Sequence, residues 1–463
     1  MFNLSKRLIL YLFFTSSLII FSLFLLPERF LYSLSPEKST VFINLKSKIF
    51  NKIGFDSNYT NEINVLKKFE SNSKEIIIFQ KFYNGLIKRN YHATLTGYLG
   101  LNKMSDDPPF IFFANGHSFK LEGKISENGL YEKLNIIKIK NNLSDIIETD
   151  FFFQKIPKDR HSIKDVVISN RGEIFLVHTD MNKNKNCTFL SILRASKPNK
   201  EINFKQIFKT ECINLNSGQK NKEAAHMTGG RMVYDENKEK IYLSVGMLNN
   251  YLLPQDEKYS YGKILEINLS DILETKKKVN NFRGKIIAKG IRNPQGLSLC
   301  DQNMYFSSHG PVGGDELNHF YLSDQQIPNF GWPIASYGKH YDESDRIKPP
   351  SYAPFYKSHK DYGYKEPLIH YTPSIAPSKV ETEGGNKLGC KNRINLWIAT
   401  MGYKNTPDQK SIIEYKILNE NNESKIIQKS VYNINGRVRD IANSKNFLWF
   451  FDETNGQLGY LVK

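Results

Sequence analysis

The chain has 463 residues, enough for one large domain or two to three ordinary ones. Aromatic residues make up 13% of it, so it can build an extensive core. Its net charge of +17 comes from Lys and Arg spread along the whole length with no basic block, which reads as a solvated basic surface and not as a nucleic-acid interface.

Lys6 and Arg7 precede an uncharged apolar run, LILYLFFTSSLIIFSLFLL at 8–26, about the length that crosses a bilayer core. The positive flank keeps the N-terminal side in the cytoplasm. The run leads into Pro27-Glu28-Arg29-Phe30 with no small-x-small cleavage site. Residues 1–30 therefore read as an uncleaved signal anchor, with a cleaved signal peptide as the alternative. In both readings the rest of the chain is exported, and the anchor places it on the periplasmic side of a bacterial inner membrane. Residues 31–74 read as a polar stalk and 75–463 as one domain. Four cysteines occur without a C-x-x-C pair, which argues against zinc. Export permits disulfides. Cys187 and Cys212 lie on apolar runs that could be neighbouring strands, so a bridge there and four buried thiols are both open.

Beyond the stalk one phrase recurs. A polar turn leads into four or five apolar, β-branched or aromatic residues that end at Gly, Asp or Thr. The copies are 109-PFIFFANG-116, 174-IFLVHTD-180, 241-IYLSVG-246, 304-MYFSSHG-310, 396-LWIATMG-402 and 448-LWFFDET-454. Short bounded apolar runs between Asn-, Asp- and Gly-rich turns are the signature of buried strands. Six copies with almost no helical periodicity predict an all-β, six-bladed β-propeller. The 304–310 copy is expected to be a channel-lining strand. A pair of sandwiched sheets is the alternative.

Four segments carry more than repeat character: 226-HMTGGRMVYDENKEKIYLSVG-246, 290-GIRNPQGLSL-299, 308-SHGPVGGDELN-318 with 329-NFGWPIASYGKHY-341, and 436-GRVRDIA-442. In this order they resemble the soluble quinoprotein glucose dehydrogenases. The closest likeness is to the aldose sugar dehydrogenase branch of the glucose/sorbosone dehydrogenase family. The resemblance covers residues 160 to 463, and 75 to 160 match poorly. It implies a six-bladed propeller carrying pyrroloquinoline quinone (PQQ) and calcium. It further implies a reaction in which the anomeric hydroxyl of a sugar loses its proton to a histidine while hydride passes to the quinone, giving a lactone. Electrons would then go to a quinone or a periplasmic carrier.

A cofactor bearing carboxylates needs fixed cations, and Arg suits planar bidentate pairing. Arg292 and Asn293 sit in a loop shaped by Pro294 and Gly296. Arg437 and Arg439 alternate, so an extended segment puts both on one face. The resemblance adds Lys404 as a cofactor-facing lysine. It also adds Arg160, which stands where the family has a glutamine and would contact a carboxylate. A proton acceptor titrating near neutrality is needed. By resemblance it is His226, here with Met227, Thr228 and Gly229 before Gly230-Arg231 where the family has two residues; His161 is a second candidate. Calcium takes hard oxygen ligands, carbonyls included. The resemblance assigns the carbonyls of Gly310 and Pro311 to the calcium that touches the quinone. It assigns Glu316 and the Phe330 region to a further structural calcium, and leaves Asp315 to brace the loop. Ser308 stands where the family usually has Glu. Tyr371 is expected to stack on a sugar ring at the channel mouth.

Two other functions compete. One is a propeller that has lost the quinone and serves as a binding module. The other is a calcium-dependent lactonase-type hydrolase, which needs side-chain carboxylates converging on a channel metal.

Overall fold

The computed structural model of the chain describes residues 60–82, 96–147, 162–182, 184–185, 187–196, 198, 201–214, 226–274, 284–338, 359–383, 390, 393–402, 408–420 and 423–463. The signal-anchor reading of residues 1–30 falls outside them. Among the described residues no helix is long and apolar enough to cross a membrane.

The described chain is a six-bladed propeller: blades 3, 4 and 5 are four-stranded antiparallel sheets, blade 2 has a fifth short strand, and blades 6 and 1 lie in one ten-stranded sheet. The first strands of blades 1 to 6 are Gly97–Gly100, Ile163–Ile168, Gly229–Asp235, Pro294–Cys300, Pro377–Glu383 and Val438–Asn443. Each packs on the next, and the sixth packs on the first, so these strands form a closed ring. The second strands are Phe110–Phe113, Ile174–Asn182, Lys240–Val245, Asn303–Ser308, Arg393–Thr400 and Phe447–Asp452.

These second strands are the six repeated phrases. The expectation that 304–310 lines the channel is therefore corrected by one strand. Asn303–Ser308 lies between Pro294–Cys300 and Asp315–Tyr321. The reason is burial on both faces. A second strand has a strand on either side and a blade above and below, so it is mostly apolar and mostly buried. Phe447–Asp452 is buried at every position.

The ring is closed by residues from both ends of the described chain. Lys74–Lys81 is the fourth strand of blade 6 and pairs with Gln457–Val462. Glu62–Ser71, inside the stretch read as a stalk, pairs with Lys74–Lys81 and with the outer strand of blade 1, Lys133–Asn141. Blades 6 and 1 thus share one continuous sheet, and the seam between them is filled by Phe79, Phe113, Tyr131, Trp449, Phe451 and Tyr460. Two disulfides are present. Cys187–Cys212 lies within blade 2, and Cys300–Cys390 ties blade 4 to blade 5 across 90 residues.

Five of the first strands break register near their start, between Ile163 and Asp165, Gly229 and Met232, Pro294 and Gly296, Pro377 and Val380, and Val438 and Asp440. Such bulges re-aim side chains. Here the irregular positions carry Arg231, Gln295, Lys379 and Arg439; five of the first strands meet at Arg231, and the sixth joins through Lys379 on Asp165. Its Nη1 donates to Asp440 Oδ1 (2.7 Å) and Asp165 Oδ1 (3.2 Å). Its Nε and Nη2 donate to the carbonyls of Gln295 (2.8 Å) and Arg439 (3.0 Å). Its guanidinium lies 5.3 Å over Tyr98. Lys379 Nζ donates to Asp165 Oδ1 at 2.8 Å, and Leu99 N to Asp440 Oδ2 at 2.7 Å. Burial opposes the charge on Arg231, but Asp440 and Asp165 hold its pKa above the usual value. Burial pushes Asp440 up against the pull of Arg231 and Lys379. This knot fills the centre of the ring.

Candidate active site

The second strand of blade 4 ends at Ser308, and the chain turns through His309-Gly310-Pro311 into two glycines. Gly313 and Gly314 have φ of 77° and 65°. A Cβ on Gly310 would lie 2.3 Å from the Gly313 and Gly314 carbonyls, so the loop folds on itself only with glycine there. Asp315, 1% exposed, braces it. Its Oδ1 accepts from Gly310 N (3.0 Å), and its Oδ2 accepts from Ala376 N (2.8 Å) and from the Ser374 hydroxyl.

Arg292 reaches this loop from the start of the neighbouring strand. It is 4% exposed. Its Nη1 donates to the Gly310 carbonyl at 2.7 Å and the His309 carbonyl at 3.1 Å, and its guanidinium lies 5.2 Å over the Trp332 ring. Its Nε and Nη2 are buried without a hydrogen-bond partner. Buried guanidinium donors left unpaired are costly, and Arg292 lines a small crevice, partly open to solvent, together with His309, Gly310, Glu316, Phe330 and Trp332. Asn293 holds the next turn. Its backbone N donates to Ser308 Oγ (3.3 Å), its carbonyl accepts from His309 N (3.0 Å), and its side chain accepts from Gln295 Nε2 (3.0 Å). Ser308 thereby gains a role that the sequence did not supply.

His309 Nε2 donates to the Pro377 carbonyl at 2.6 Å, since a carbonyl can only accept. Burial lowers its pKa, against the pull of Asp315. Glu316 Oε2 accepts from Asn318 Nδ2 at 3.0 Å, and its Oε1 lies 3.5 Å from His359 Nε2. Burial raises the pKa of Glu316.

Arg437 and Arg439 do share a face, and both converge on one carboxylate. Glu453 accepts from Arg437 Nε (2.8 Å), Arg439 Nε (2.8 Å) and the Thr96 hydroxyl (2.9 Å). Burial opposes its charge, yet Arg439 and Arg437 hold its carboxyl well below the usual range. Both arginines remain part-exposed, and Arg437 Nη1 also donates to the Met401 carbonyl at 2.7 Å.

His226 stands at the turn into the first strand of blade 3, with Asn249 Nδ2 3.1 Å from its Nδ1. Backbone bonds connect it to the Arg292 loop: Leu248 N donates to the Met227 carbonyl and Met247 N to the Arg292 carbonyl, both at 3.0 Å. Tyr371 is placed elsewhere than expected. It is 6% exposed, packed between blades 4 and 5, with its hydroxyl 2.9 Å from that of Tyr415. Its ring is not available to a sugar. Lys404, Arg160 and His161 lie outside the described residues.

Sequence reasoning missed Glu453, Asn249 and the stacking of Trp332 on Arg292. It quoted Arg231 and Asp440 inside motifs without their pairing. Among the described residues no group of three or more His, Cys, Asp or Glu could hold a metal. An anionic group fits the two unpaired donors of Arg292. The Gly310 carbonyl already accepts from the Arg292 guanidinium, so in this arrangement it does not offer that oxygen to a cation.

A family model described as Glucose / Sorbosone dehydrogenase matches residues 162–461. The aldose sugar dehydrogenase YliI of Escherichia coli (strain K12) is 33% identical over 118 residues, 24% of this chain and 30% of its own length. An uncharacterized protein of Synechocystis sp. is 30% identical over 207 residues, 42% of this chain and 44% of its own length. The matched part is thus under half of either relative. The crystal structure of the soluble aldose sugar dehydrogenase from Escherichia coli in its apo-form has a TM-score of 0.55 at 18% identity, covering 81% of this chain and 98% of that one. This last is a likeness of fold.

Proposed function

The chain belongs to the glucose/sorbosone dehydrogenase family, and from that premise we propose that it is a PQQ- and calcium-dependent aldose dehydrogenase. It oxidises the C1 hydroxyl of a sugar to a lactone. The observation that carries this reading is Arg292, buried beside a crevice with two donors unpaired. Arg292, Asn293, Arg437 and Arg439 hold anionic groups of the cofactor. Lys404 and Arg160 extend this set. By resemblance the carbonyls of Gly310 and Pro311 hold the calcium, and Glu316 with Phe330 a second one. When bound, the quinone supplies a two-electron acceptor and calcium a Lewis acid. His226 takes the hydroxyl proton.

The two disulfides support an oxidising compartment. We place the propeller on the periplasmic side, held by residues 1–30, with electrons leaving to a quinone or soluble carrier. The lactonase alternative needs free carboxylates at the channel, whereas Asp165 and Asp440 are already paired with Arg231, and Asp165 also with Lys379. The binding-module alternative draws on the closure of Arg437 and Arg439 onto Glu453.

The test is a spectral titration of the full chain with PQQ in calcium, followed by dye reduction with a panel of aldoses. Saturable quinone binding and turnover of an aldose are expected. Absence of quinone binding sinks the dehydrogenase reading in favour of the binding module. Binding that persists with turnover in His226→Ala reassigns the base.

A further inference from the structure

Two turns meet beside His226, and both hold non-glycine residues in the left-handed region. Met227 has φ of 56°, Leu248 of 52° and Asn249 of 56°. Leucine and methionine adopt such angles only where the surroundings enforce them. Here the turns are locked together. Gly246 N donates to the Thr228 carbonyl (2.8 Å) and Leu248 N to the Met227 carbonyl (3.0 Å). The approach is so close that a Cβ on Gly246 would lie 2.1 Å from the Met227 oxygen. The lock brings the Asn249 side chain to His226 Nδ1 at 3.1 Å. Asparagine suits this place twice, since it tolerates the left-handed backbone and carries an amide.

We propose that Asn249 is a positioning residue for His226. It holds the imidazole by Nδ1 and turns Nε2 into the nitrogen that takes the substrate's proton. The inference rests on the reading of His226 as the base. For Nε2 to accept, Nδ1 must carry the ring hydrogen and donate it to the amide oxygen of Asn249. The two ends of an amide have nearly the same shape, so the same contact serves with the oxygen forward. In the step the substrate O–H bond breaks, the Nε2–H bond forms, and the imidazolium keeps its Nδ1–H on Asn249. The neutral amide fixes the tautomer without adding a charge.

The test compares the apo full-length protein, labelled with nitrogen-15 in its histidine rings, as wild type, Asn249→Gly and Asn249→Asp. Glycine keeps the backbone angle and deletes the amide; aspartate keeps an acceptor. The His226 signal is identified by its loss in His226→Gln. Wild type and Asn249→Asp are expected in the Nδ1–H form, with Asn249→Gly shifted toward Nε2–H. In the quinone-loaded enzyme Asn249→Gly should lower kcat roughly 100-fold at unchanged KM, and Asn249→Asp should restore it. An unchanged tautomer in Asn249→Gly overturns the proposal, as does a changed tautomer with unchanged kcat. Failure of the base reading is seen separately, as turnover in His226→Ala, while the tautomer measurement still decides what Asn249 does to the ring.

Discussion

The first and second strands of each blade run side by side yet are built by opposite rules. The second strands are mostly apolar on both faces and regular, and they form the hydrophobic layers between blades. Most first strands are bulged, line the ring with charge, and lead in from the loops that carry Arg292 and Arg437. Stability in the second strands comes from apolar burial, spread over many contacts. In the first strands it comes from a few ion pairs removed from water, where each partner depends on the other. One region tolerates small losses; the other fails when a single partner is removed.

The largest effect that sharpens this contrast is expected at Arg231. Arg231→Met leaves Asp165 and Asp440 buried with too little positive charge, and should cost about 3–5 kcal/mol in urea denaturation. Leu243, fully buried in the second strand of blade 3, gives the apolar counterpart. Leu243→Ala should cost about 2–5 kcal/mol, with a loss that is insensitive to salt and pH. A loss at Leu243 well above that at Arg231 would reverse the comparison.

His178 is a titratable side chain on a second strand, and it is fully buried. Burial lowers its pKa to about 4. The unfolded chain binds this proton at higher pH than the folded one. The stability is therefore complete above the ordinary histidine range and falls as pH drops toward 4, by about 1.4 kcal/mol per unit. His178→Met should flatten that slope by one proton, read from unfolding midpoints at pH 7 and pH 4.5. The smallest stability effect is expected at Arg292. Arg292→Met removes two unpaired buried donors, so the unfolding midpoint should hold or rise slightly, while quinone binding falls by about 100-fold or more. A clear loss of stability there would make Arg292 structural, like Arg231.

The same contrast explains what could be read in advance. The second strands announced themselves because burial on two faces leaves a continuous apolar run. The first strands are broken by bulges, and Gly97–Gly100 is only four residues long, so they carry no period to find. The Arg292 loop and the His309–Glu316 turn were legible because glycine and proline fix backbones at set positions. Partnerships across the ring were not. Glu453 lies 14 and 16 residues from the arginines it binds, and Asn249 lies 23 from His226, spacings that no helix or strand period predicts. Tyr371 was misplaced because an aromatic at a strand end looks the same whether its ring faces a mouth or a neighbouring blade.

The shared sheet of blades 6 and 1 also sets a timetable. Gln457 donates from its side chain to the Phe79 carbonyl, 378 residues away. A ribosome releases one side of that joint first and the other nearly last. Until then Lys74–Lys81 has no partner in blade 6, and the ring stays open through almost the entire synthesis. A chain made from its N-terminus gains a simple safeguard from this. The lock is delivered only when the last strand arrives.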